Sequence, residues 1–456
     1  MLINNLLYIL QINNYEKKKF LFFSYTHPNW FSLQKRGKLI FTKKASLIYL
    51  LSMILSVCLV LFFSFFYNLR AGVISIFIVC LFLPFIILLS LLIIKPIDAY
   101  LKNRLIKAAA LILKSVKNLI VIGITGSYGK TSAKEILNFI LSEKFKVLIT
   151  PENINTDLGI ADFIVKKKNE LNNYEIFIVE MGAYKIGEIK KICDLVRPKY
   201  SILTGINEAH LERFGSLANT VKAKFELAEA TESAAILNFS DNNIKDNYKR
   251  FKINDPVGAA IVQIENINIL ENFSGLEFTV DNEKFKTQLL AEHNINLILL
   301  ARALAQKLGL SADEIKRGVN KIKIIKHRLE PIYNKNTNIW IIDDSYNGNL
   351  KGIISGLAVL RRAQGRKLVL TPGLVELGEK SEEIHKKIGE LYAKTVDFIL
   401  LINSKNTKWI KEALDKNNYK NYKVYHNTVA AHADLKNILR AGDTIIFQND
   451  LPDNYF

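Results

Sequence analysis

The chain has 456 residues, of which 49% are hydrophobic and 23% charged, so it is long enough for two or three domains that each bury a core. Its formal net charge of +19 is typical of proteins that bind phosphate backbones, but no basic stripe interleaved with aromatic residues is present, and we predict no nucleic-acid partner. The three cysteines form no C-x-x-C pair and indicate neither a disulfide framework nor a zinc site, which favours a reducing compartment.

The N-terminal part has the composition of a membrane anchor. Residues 1–45 mix basic and aromatic side chains, as in NNYEKKKFLFF, and this mixture suits a cytoplasmic segment at a membrane surface. Residues 46–67 and 71–94 contain no Asp, Glu, Lys, Arg or His, and each exceeds the roughly 20 residues that span a bilayer. Lysines and arginines flank both outer ends, which predicts a transmembrane hairpin over residues 46–95 with its ends in the cytoplasm. Because no charge lies inside the spans, we expect an anchor to membrane lipids rather than a transport pathway.

After the hairpin, short β-branched runs alternate with amphipathic stretches, and this pattern predicts a doubly wound parallel α/β sheet. Between residues 257 and 290, alternation such as LEFTV predicts a small antiparallel sheet. Two helices are predicted at 293–307 and 311–321, and the strand-helix rhythm then restarts with NIWIID. We therefore predict a P-loop-containing central domain over residues 96–325 and a C-terminal Rossmann-like α/β domain over residues 326–456.

A glycine-rich turn, TGSYGKT, joins the first strand of this region to its first helix. In that context backbone N–H groups can hold a phosphate, Lys130 can reach the β and γ oxygens, and the Thr131 hydroxyl can bind Mg²⁺. Ile124 stands where a usual P-loop has its first glycine, so this is the shorter T-G-[ST]-x-G-K-[TS] form. The turn predicts an ATP site made of Thr125, Gly126, Ser127, Tyr128, Gly129, Lys130, Thr131 and Ser132.

This turn resembles that of the Mur ligase family, the ATP-dependent enzymes that build the peptide stem of bacterial peptidoglycan. Further segments resemble the family in the family's order: TPENINTDLG, IFIVEM, TGINEAHLERFGS, VKAKFELAEA, EHNINL, HRLE, IIDDSYNGN and ELGEKSEEIHKKIG. The last two are most similar to the member that adds D-alanyl-D-alanine to a muramyl tripeptide. The similarity covers about residues 118–396.

The resemblance implies a ligase that activates a carboxylate as an acyl phosphate with ATP and joins it to an amine. Because the carboxylate and the γ-phosphate are both anions, cations and hydrogen-bond donors must neutralise their charge. The implied partners are a muramyl-peptide-type acid, an amino acid or dipeptide such as D-alanyl-D-alanine, ATP, and two Mg²⁺ ions. Together with the predicted hairpin and its flanking charges, this predicts a location at the bacterial cytoplasmic membrane, with the catalytic domains in the cytoplasm.

The resemblance also implies a role for individual residues. Catalytic roles fall to Lys130, Glu180, His210, Lys224 and Arg328. The implied metal ligands are Thr131, Glu180, His210 and Lys224. ATP contacts beyond the turn are Asn294, Arg328 and Asp344, and the implied substrate contacts are Asn153, Asn155 and Thr156.

Several of these residues have other interpretations when they are considered alone. The lysine that matches Lys224 is carbamylated in the family, but Lys222 competes for that place, since two residues apart on a helix differ by about 200°. Considered alone, Lys224 could be a charged side chain in solvent, and His210 could be a histidine with a purely structural role. Glu180 could be a residue next to a helix N-cap.

The front of the chain departs from the family pattern. Standard members open with a soluble domain that holds the uridine diphosphate of their substrate, and here the basic segment and the hairpin occupy that place. Two substrates then remain open: a lipid-linked acid, or the soluble nucleotide precursor bound without that domain. The rival functions are a related amide ligase of the folylpolyglutamate or amino-acid-polymer type, a P-loop transporter subunit, and a nucleotide-binding membrane scaffold without turnover.

Overall fold

The structure is a computed structural model that describes residues 2–13, 15–26, 39–209, 211–260, 262–346 and 348–449. The chain forms two structural units, one reaching to Arg104 and the other running from Leu105 to Asp450. The first unit is helical in its described residues, and the second contains three β-sheets.

The first unit is built from helices α1 (Leu2–Ile12), α2 (Lys17–Thr26), α3 (Lys43–Phe66) and α4 (Leu69–Ser115). The Thr42 side chain caps α3 by accepting from the backbone N–H of Ala45. Near the N-terminal end of α3, Lys44 pairs at 2.8 Å with Asp98 of α4, and Asp98 also pairs with Lys102 at 2.9 Å. This ion cluster ties the two long helices together where their apolar parts end.

Helix α3 and helix α4 are each long and apolar enough to cross a membrane, by length and composition. Only 11% of the most apolar window of α3 and 39% of that of α4 are buried within the described protein, which is unlike the core helices of a soluble domain. Helix α4 does not end with the apolar run but continues to Ser115, with Pro84 and Pro96 inside it. Both arms of the predicted hairpin are therefore helical, with Tyr67 and Asn68 between them, and the second helix is longer than its apolar part.

Helix α1 was not foreseen by the prediction of a surface segment. Leu6, Ile9 and Leu10 are fully buried, and they pack in one cluster with Ile48 of α3 and Ile87 of α4. Residues 2–12 therefore form an apolar helix that packs against the hairpin within the first unit.

The second unit begins with a parallel sheet, called here the first sheet. Its elements are β1 (Ile120–Thr125), α5 (Lys130–Leu141), β2 (Val147–Ile149), α6 (Asp157–Lys166), β3 (Ile176–Glu180), α7 (Glu188–Val196), β4 (Tyr200–Leu203), α8 (Leu211–Phe214), α9 (Leu217–Glu229), β5 (Ala234–Asn238), α10 (Asn242–Lys245) and β6 (Pro256–Ala259). All its strands are parallel, in the order β2-β3-β1-β4-β5-β6. Every residue of β3 is buried, as expected of a strand covered on both faces. The predicted doubly wound sheet is confirmed.

A small antiparallel sheet and two helices follow. They are β7 (Ile264–Ile269), β8 (Leu276–Val280), β9 (Glu283–Thr287), α11 (His293–Lys307) and α12 (Ala312–Asn320). The alternation in LEFTV places Leu276, Phe278 and Val280 on the buried face of β8. Helix α12 starts with a capping box between Ser311 and Glu314, which satisfies backbone N–H groups at its N-terminal end.

The rest of the second unit is another α/β layer, called here the second sheet. It consists of β10 (Glu330–Asn334), β11 (Ile339–Asp344), α13 (Leu350–Leu360), β12 (Lys367–Thr371), α14 (Ser381–Thr395), β13 (Phe398–Ile402), α15 (Thr407–Lys416), β14 (Tyr422–Tyr425), α16 (Thr428–Ile438) and β15 (Thr444–Gln448). The strand order is β10-β11-β15-β12-β13-β14, and only β10 runs antiparallel to its neighbour. The predicted domain boundary near residue 326 falls just before β10, and it stays a prediction because both sheets belong to one structural unit.

Candidate active site

A cavity of about 440 Å³, called here the cleft, is lined by residues of both large sheets. Most of the residues predicted from the sequence line it: Ser127, Tyr128, Gly129, Lys130, Thr131, Ser132, Asn155, Thr156, Glu180, Lys224, Asn294, Arg328 and Asp344. Thr125, Gly126 and Asn153 do not line it, and His210 lies outside the described residues. The cleft is therefore where the predicted ATP, metal and substrate residues meet.

The phosphate turn runs from the end of β1 to the start of α5. Gly129 has a φ of +74°, which favours glycine, and a Cβ on Gly126 would come within 2.1 Å of the Thr204 hydroxyl oxygen. Helix α5 starts after Gly129 without a side-chain cap, so the N–H groups of its first turn can bind an anion. Lys130 bends back so that its Nζ donates to the carbonyl oxygen of Gly126 at 2.9 Å. Burial lowers the pKa of the Lys130 ammonium, while Glu180 raises it.

Glu180 ends β3 directly beside this turn, because β1 and β3 are paired in parallel with Ile124 opposite Glu180. Its side chain is almost fully buried, and its Oε2 accepts from the Thr131 hydroxyl at 3.0 Å. Its Oε1 accepts from the Asn155 side-chain amide at 3.3 Å. The N-cap of the next helix, α7, is Gly187, so Glu180 does not serve as a neighbour of a helix N-cap.

The pair of Thr131 and Glu180 fits a magnesium ion. A hydroxyl oxygen and a carboxylate oxygen lie 3.0 Å apart, at the N-terminal end of α5 and facing the cleft. Both are hard oxygen donors of the kind that Mg²⁺ prefers. The chemistry of the two residues thus agrees with the metal site predicted from the sequence.

Lys224 of α9 points inward, and its competitor Lys222 is exposed. Only 2% of Lys224 is exposed, and its Nζ lies 5.5 Å from the centre of the Phe214 ring. Burial lowers the pKa of the Lys224 amine well below its usual range, and the charge of Lys130 adds to the effect. The interpretation of Lys224 as a solvated surface charge is therefore wrong.

The second sheet contributes two of the predicted ATP residues. Arg328 precedes β10, and its guanidinium stacks 4.2 Å from the centre of the Tyr346 ring and donates to the Tyr346 carbonyl at 3.3 Å. Asp344 ends β11, and burial raises its pKa to about 7, although Arg328 acts in the opposite direction. Arg328 and Asp344 thus line the cleft together with residues of the first sheet.

Several cleft residues were missed by the sequence analysis. His293, next to the predicted Asn294, lines the cleft with an exposed side chain, and desolvation by the cleft walls together with the charge of Arg328 lowers its pKa to about 4. Tyr346 donates its hydroxyl to Asn153 at 2.5 Å, which places Asn153 at the rim opposite the second sheet. Lys351 donates to the Tyr128 hydroxyl at 3.4 Å. These partners lie far apart in the chain, so no local motif could reveal them.

Comparisons with known proteins agree with the geometry. Residues 124–305 match the Mur ligase middle domain, and residues 327–448 match the Mur ligase, glutamate ligase domain. The UDP-N-acetylmuramoyl-tripeptide–D-alanyl-D-alanine ligase of Escherichia coli (strain K12) is 31% identical over an alignment of 340 residues, and the match covers 70% of this chain and 73% of that protein. The enzyme of the same name from Bacillus subtilis (strain 168) is 25% identical over 340 residues, covering 72% of each chain.

Solved structures show the same fold. A crystal structure of MurF from Acinetobacter baumannii has a TM-score of 0.67 at 25% identity, and the match covers 76% of this chain and 78% of that one. The MurF ligase from Thermotoga maritima in complex with ADP has a TM-score of 0.66 at 24% identity, with 77% and 81% covered. Residues 1–123 lie before both matched family regions.

Proposed function

The chain belongs to the Mur ligase family, and from this premise we propose that it is a membrane-anchored ligase that adds D-alanyl-D-alanine to a muramyl-tripeptide acid in peptidoglycan synthesis. One observation carries the proposal: a single cleft brings together the phosphate turn, Glu180, the buried Lys224 and, from the second sheet, Arg328. Each of these has a task in an ATP-dependent joining of an acid to an amine.

The reaction consumes ATP to make the acid reactive. A carboxylate oxygen attacks the γ-phosphorus and ADP leaves; the amine nitrogen then attacks the acyl carbon, and phosphate leaves as the amide forms. The free N–H groups at the start of α5 bind the phosphates, and Lys130 moves from the Gly126 carbonyl to the phosphate oxygens. Its ammonium there offsets the charge of two anions that approach each other.

Magnesium, when bound, would supply positive charge that offsets the negative charges of the acid and the γ-phosphate. Thr131 and Glu180 are the residues that would hold it, since their oxygens already adjoin. We assign a second ion to His210 and Lys224 on the family resemblance. Burial lowers the pKa of the Lys224 amine and so favours the neutral form, which can add CO₂ and release a proton to form a carbamate that would act as a carboxylate-like ligand.

The second sheet closes the site. We assign Arg328 to the γ-phosphate, Asp344 to the ribose hydroxyls and Asn294 to the adenine, and the assignment is supported by the position of all three residues in the lining of the cleft. Asn155, Thr156 and, at the rim, Asn153 are proposed to hold the acid substrate. Closure of the two sheets excludes water before the acyl phosphate forms, and this protects that intermediate from hydrolysis.

The two long apolar helices support anchoring to the bacterial cytoplasmic membrane. Their lipid-facing side chains are largely exposed in the protein, and Lys44, Asp98 and Lys102 lie where the apolar parts end. We propose a cytoplasmic N-terminal segment over residues 1–45, the hairpin over 46–95, and ligase domains over 96–325 and 326–456.

The test is mass spectrometry of the products that purified full-length protein forms from ATP, Mg²⁺, D-alanyl-D-alanine and a muramyl tripeptide. The acid is offered both as its soluble uridine nucleotide and in a lipid-linked form in detergent micelles. We expect ADP, phosphate and a muramyl pentapeptide only when both acid and amine are present. Vigorous ATP hydrolysis without either substrate, or no pentapeptide from either acid, contradicts the proposal.

A further inference from the structure

Lys134, four residues after the P-loop lysine, is a buried cation with no role in the proposed chemistry. Its side chain is 0% exposed, and it lies on the face of α5 that also carries Lys130 and Thr131. A lysine that is completely buried is costly unless its charge is paired and its donors are used. The contacts of Lys134 therefore indicate what it does.

The Lys134 ammonium connects helix α5 with the loop after β2 and with the end of β3, beside Thr131 and Glu180. Nζ donates to the Thr150 carbonyl at 2.8 Å, just after β2, and lies 3.5 Å from Glu180 Oε2 at the end of β3. Thr150 in turn accepts from the Glu180 backbone N–H through its hydroxyl, at 3.1 Å. Glu135 is a more distant carboxylate, 3.7 Å from Nζ.

Lys134 and Thr131 thus approach the same carboxylate oxygen, Oε2 of Glu180, from one helix face. Asn155, from the loop that begins at Thr150, binds the other oxygen. A carboxylate held from several directions has one orientation, which is what a metal ligand needs, and partners that orient ligands in this way affect metal affinity strongly.

We propose that Lys134 is a positioning residue for the metal site: it fixes the Glu180 carboxylate beside Thr131 and fastens the loop of Asn155 to the same point. This inference rests on the proposed function, because it assigns Glu180 to a metal ion. Lys134 itself touches neither metal nor substrate.

The experiment measures Mn²⁺ binding to full-length protein by electron paramagnetic resonance in the presence of a non-hydrolysable ATP analogue. Lys134→Met keeps the length of the side chain and removes its charge, and we expect Mn²⁺ to bind about 10-fold more weakly or worse. In ligation assays the Mg²⁺ concentration for half-maximal rate rises in parallel, while the KM for the amine is unchanged. A merely structural lysine predicts less folded protein with an unaltered metal affinity in the folded fraction.

Two further variants make the result decisive. Glu135→Gln removes the more distant carboxylate near Lys134 and leaves Glu180 in place, so its Mn²⁺ affinity should stay within about twofold of the unaltered protein. If Lys134→Met fails to fold, Lys134→Gln, which retains a donor for the Thr150 carbonyl, carries the test and should also bind Mn²⁺ weakly. Unchanged or tighter Mn²⁺ binding in the folded Lys134 variant overturns the inference, as does an unaltered protein that binds no Mn²⁺. Failure of the proposed function appears separately, as Mn²⁺ binding without ligation by the unaltered protein.

Discussion

Arg213 and Glu376 form an ion pair that connects the helix before α9 with the loop after β12, and so joins the first sheet to the second beside the cleft. The Arg213 guanidinium also stacks 4.1 Å from the centre of the Tyr184 ring, and the Glu376 carbonyl accepts from the Glu212 N–H at 3.2 Å. Glu376 adopts a φ of +61°, a left-handed conformation that is uncommon for a residue with a side chain. Such a conformation persists only where surrounding contacts hold it, and Glu376 lines the cleft, so we expect this pair to act as a closure contact of the site.

Replacing Glu376 with Gln should weaken this closure contact, because the Arg213 charge loses its partner in a half-buried place. We expect kcat to fall about 10-fold and the free energy of unfolding to drop by roughly 1–3 kcal/mol. Steady-state kinetics and urea denaturation measure the two effects. Glu379→Gln, an exposed change in the same loop, is the control and should alter neither. Equal kinetics for the two variants would show that the ion pair is not a closure contact.

Replacing Lys130 with Ala separates an enzyme from a scaffold. The Lys130 ammonium is the cation of the phosphate turn, and loss of one such stabilising group typically costs 10²- to 10³-fold in rate, so we expect at least about a 100-fold loss of ADP formation. The variant should be folded, as circular dichroism can verify, and it should fail to support growth in cells that depend on this protein. Normal growth with this variant would favour the scaffold without turnover.

The sequence predicted those parts of the fold and site that depend on local pattern. Helix α11 begins and ends where predicted, because its apolar spacing is regular, and the phosphate turn is contiguous in the chain. The contacts that join the two sheets were not predictable, since Tyr346 and Asn153 are 193 residues apart and Lys351 and Tyr128 are 223 apart. Their partners are set by how the sheets pack, which no periodicity encodes.

Lys224 and Lys222 make a matched pair for testing the second metal site. Lys224→Ala should lower kcat at least about 100-fold if its carbamate is a ligand, whereas Lys222→Ala, on the exposed side of the same helix, should leave the rate unchanged. Carbon-13 NMR of protein equilibrated with labelled bicarbonate should show one carbamate signal that disappears only in the Lys224 variant. Equal losses in both variants, or a signal that survives in Lys224→Ala, would contradict the assignment.

Asp344 should make the stability of the protein depend on pH. Its pKa in the folded state is raised to about 7 from 3.8, so between these values the folded protein holds a proton that the unfolded chain has released. Stability contributed by this group is therefore present below about pH 4 and is lost as pH rises towards 7, by roughly 1.4 kcal/mol per pKa unit at most. Asp344→Asn should remove that decline, and urea denaturation at pH 5 and pH 8 measures it.

The same titration should appear in ATP binding. Only ionised Asp344 accepts two hydrogen bonds from ribose hydroxyls without donating a proton, so the KM for ATP should fall as pH rises through about 7. In Asp344→Asn the KM should be high and independent of pH in this range. A KM for ATP that changes with pH equally in both proteins would place the titrating group elsewhere.

The hairpin makes a topological prediction that single-cysteine labelling can test. Tyr67 and Asn68 lie between α3 and α4, so if both helices cross the membrane, Asn68→Cys reaches the outer face. Ser115→Cys, at the end of α4, then lies in the cytoplasm with the ligase domains. In intact cells a membrane-impermeant maleimide should label the first variant and not the second, and permeabilisation should expose both.

The native Cys58 and Cys80 lie in the apolar stretches of α3 and α4, where lipid should shield them, and the unaltered protein controls for them. Two adjoining spans must return the chain to the side of the membrane from which it entered. Labelling of Ser115→Cys in intact cells would therefore rule out a hairpin with both ends in the cytoplasm. The same conclusion would follow if neither variant were labelled before permeabilisation.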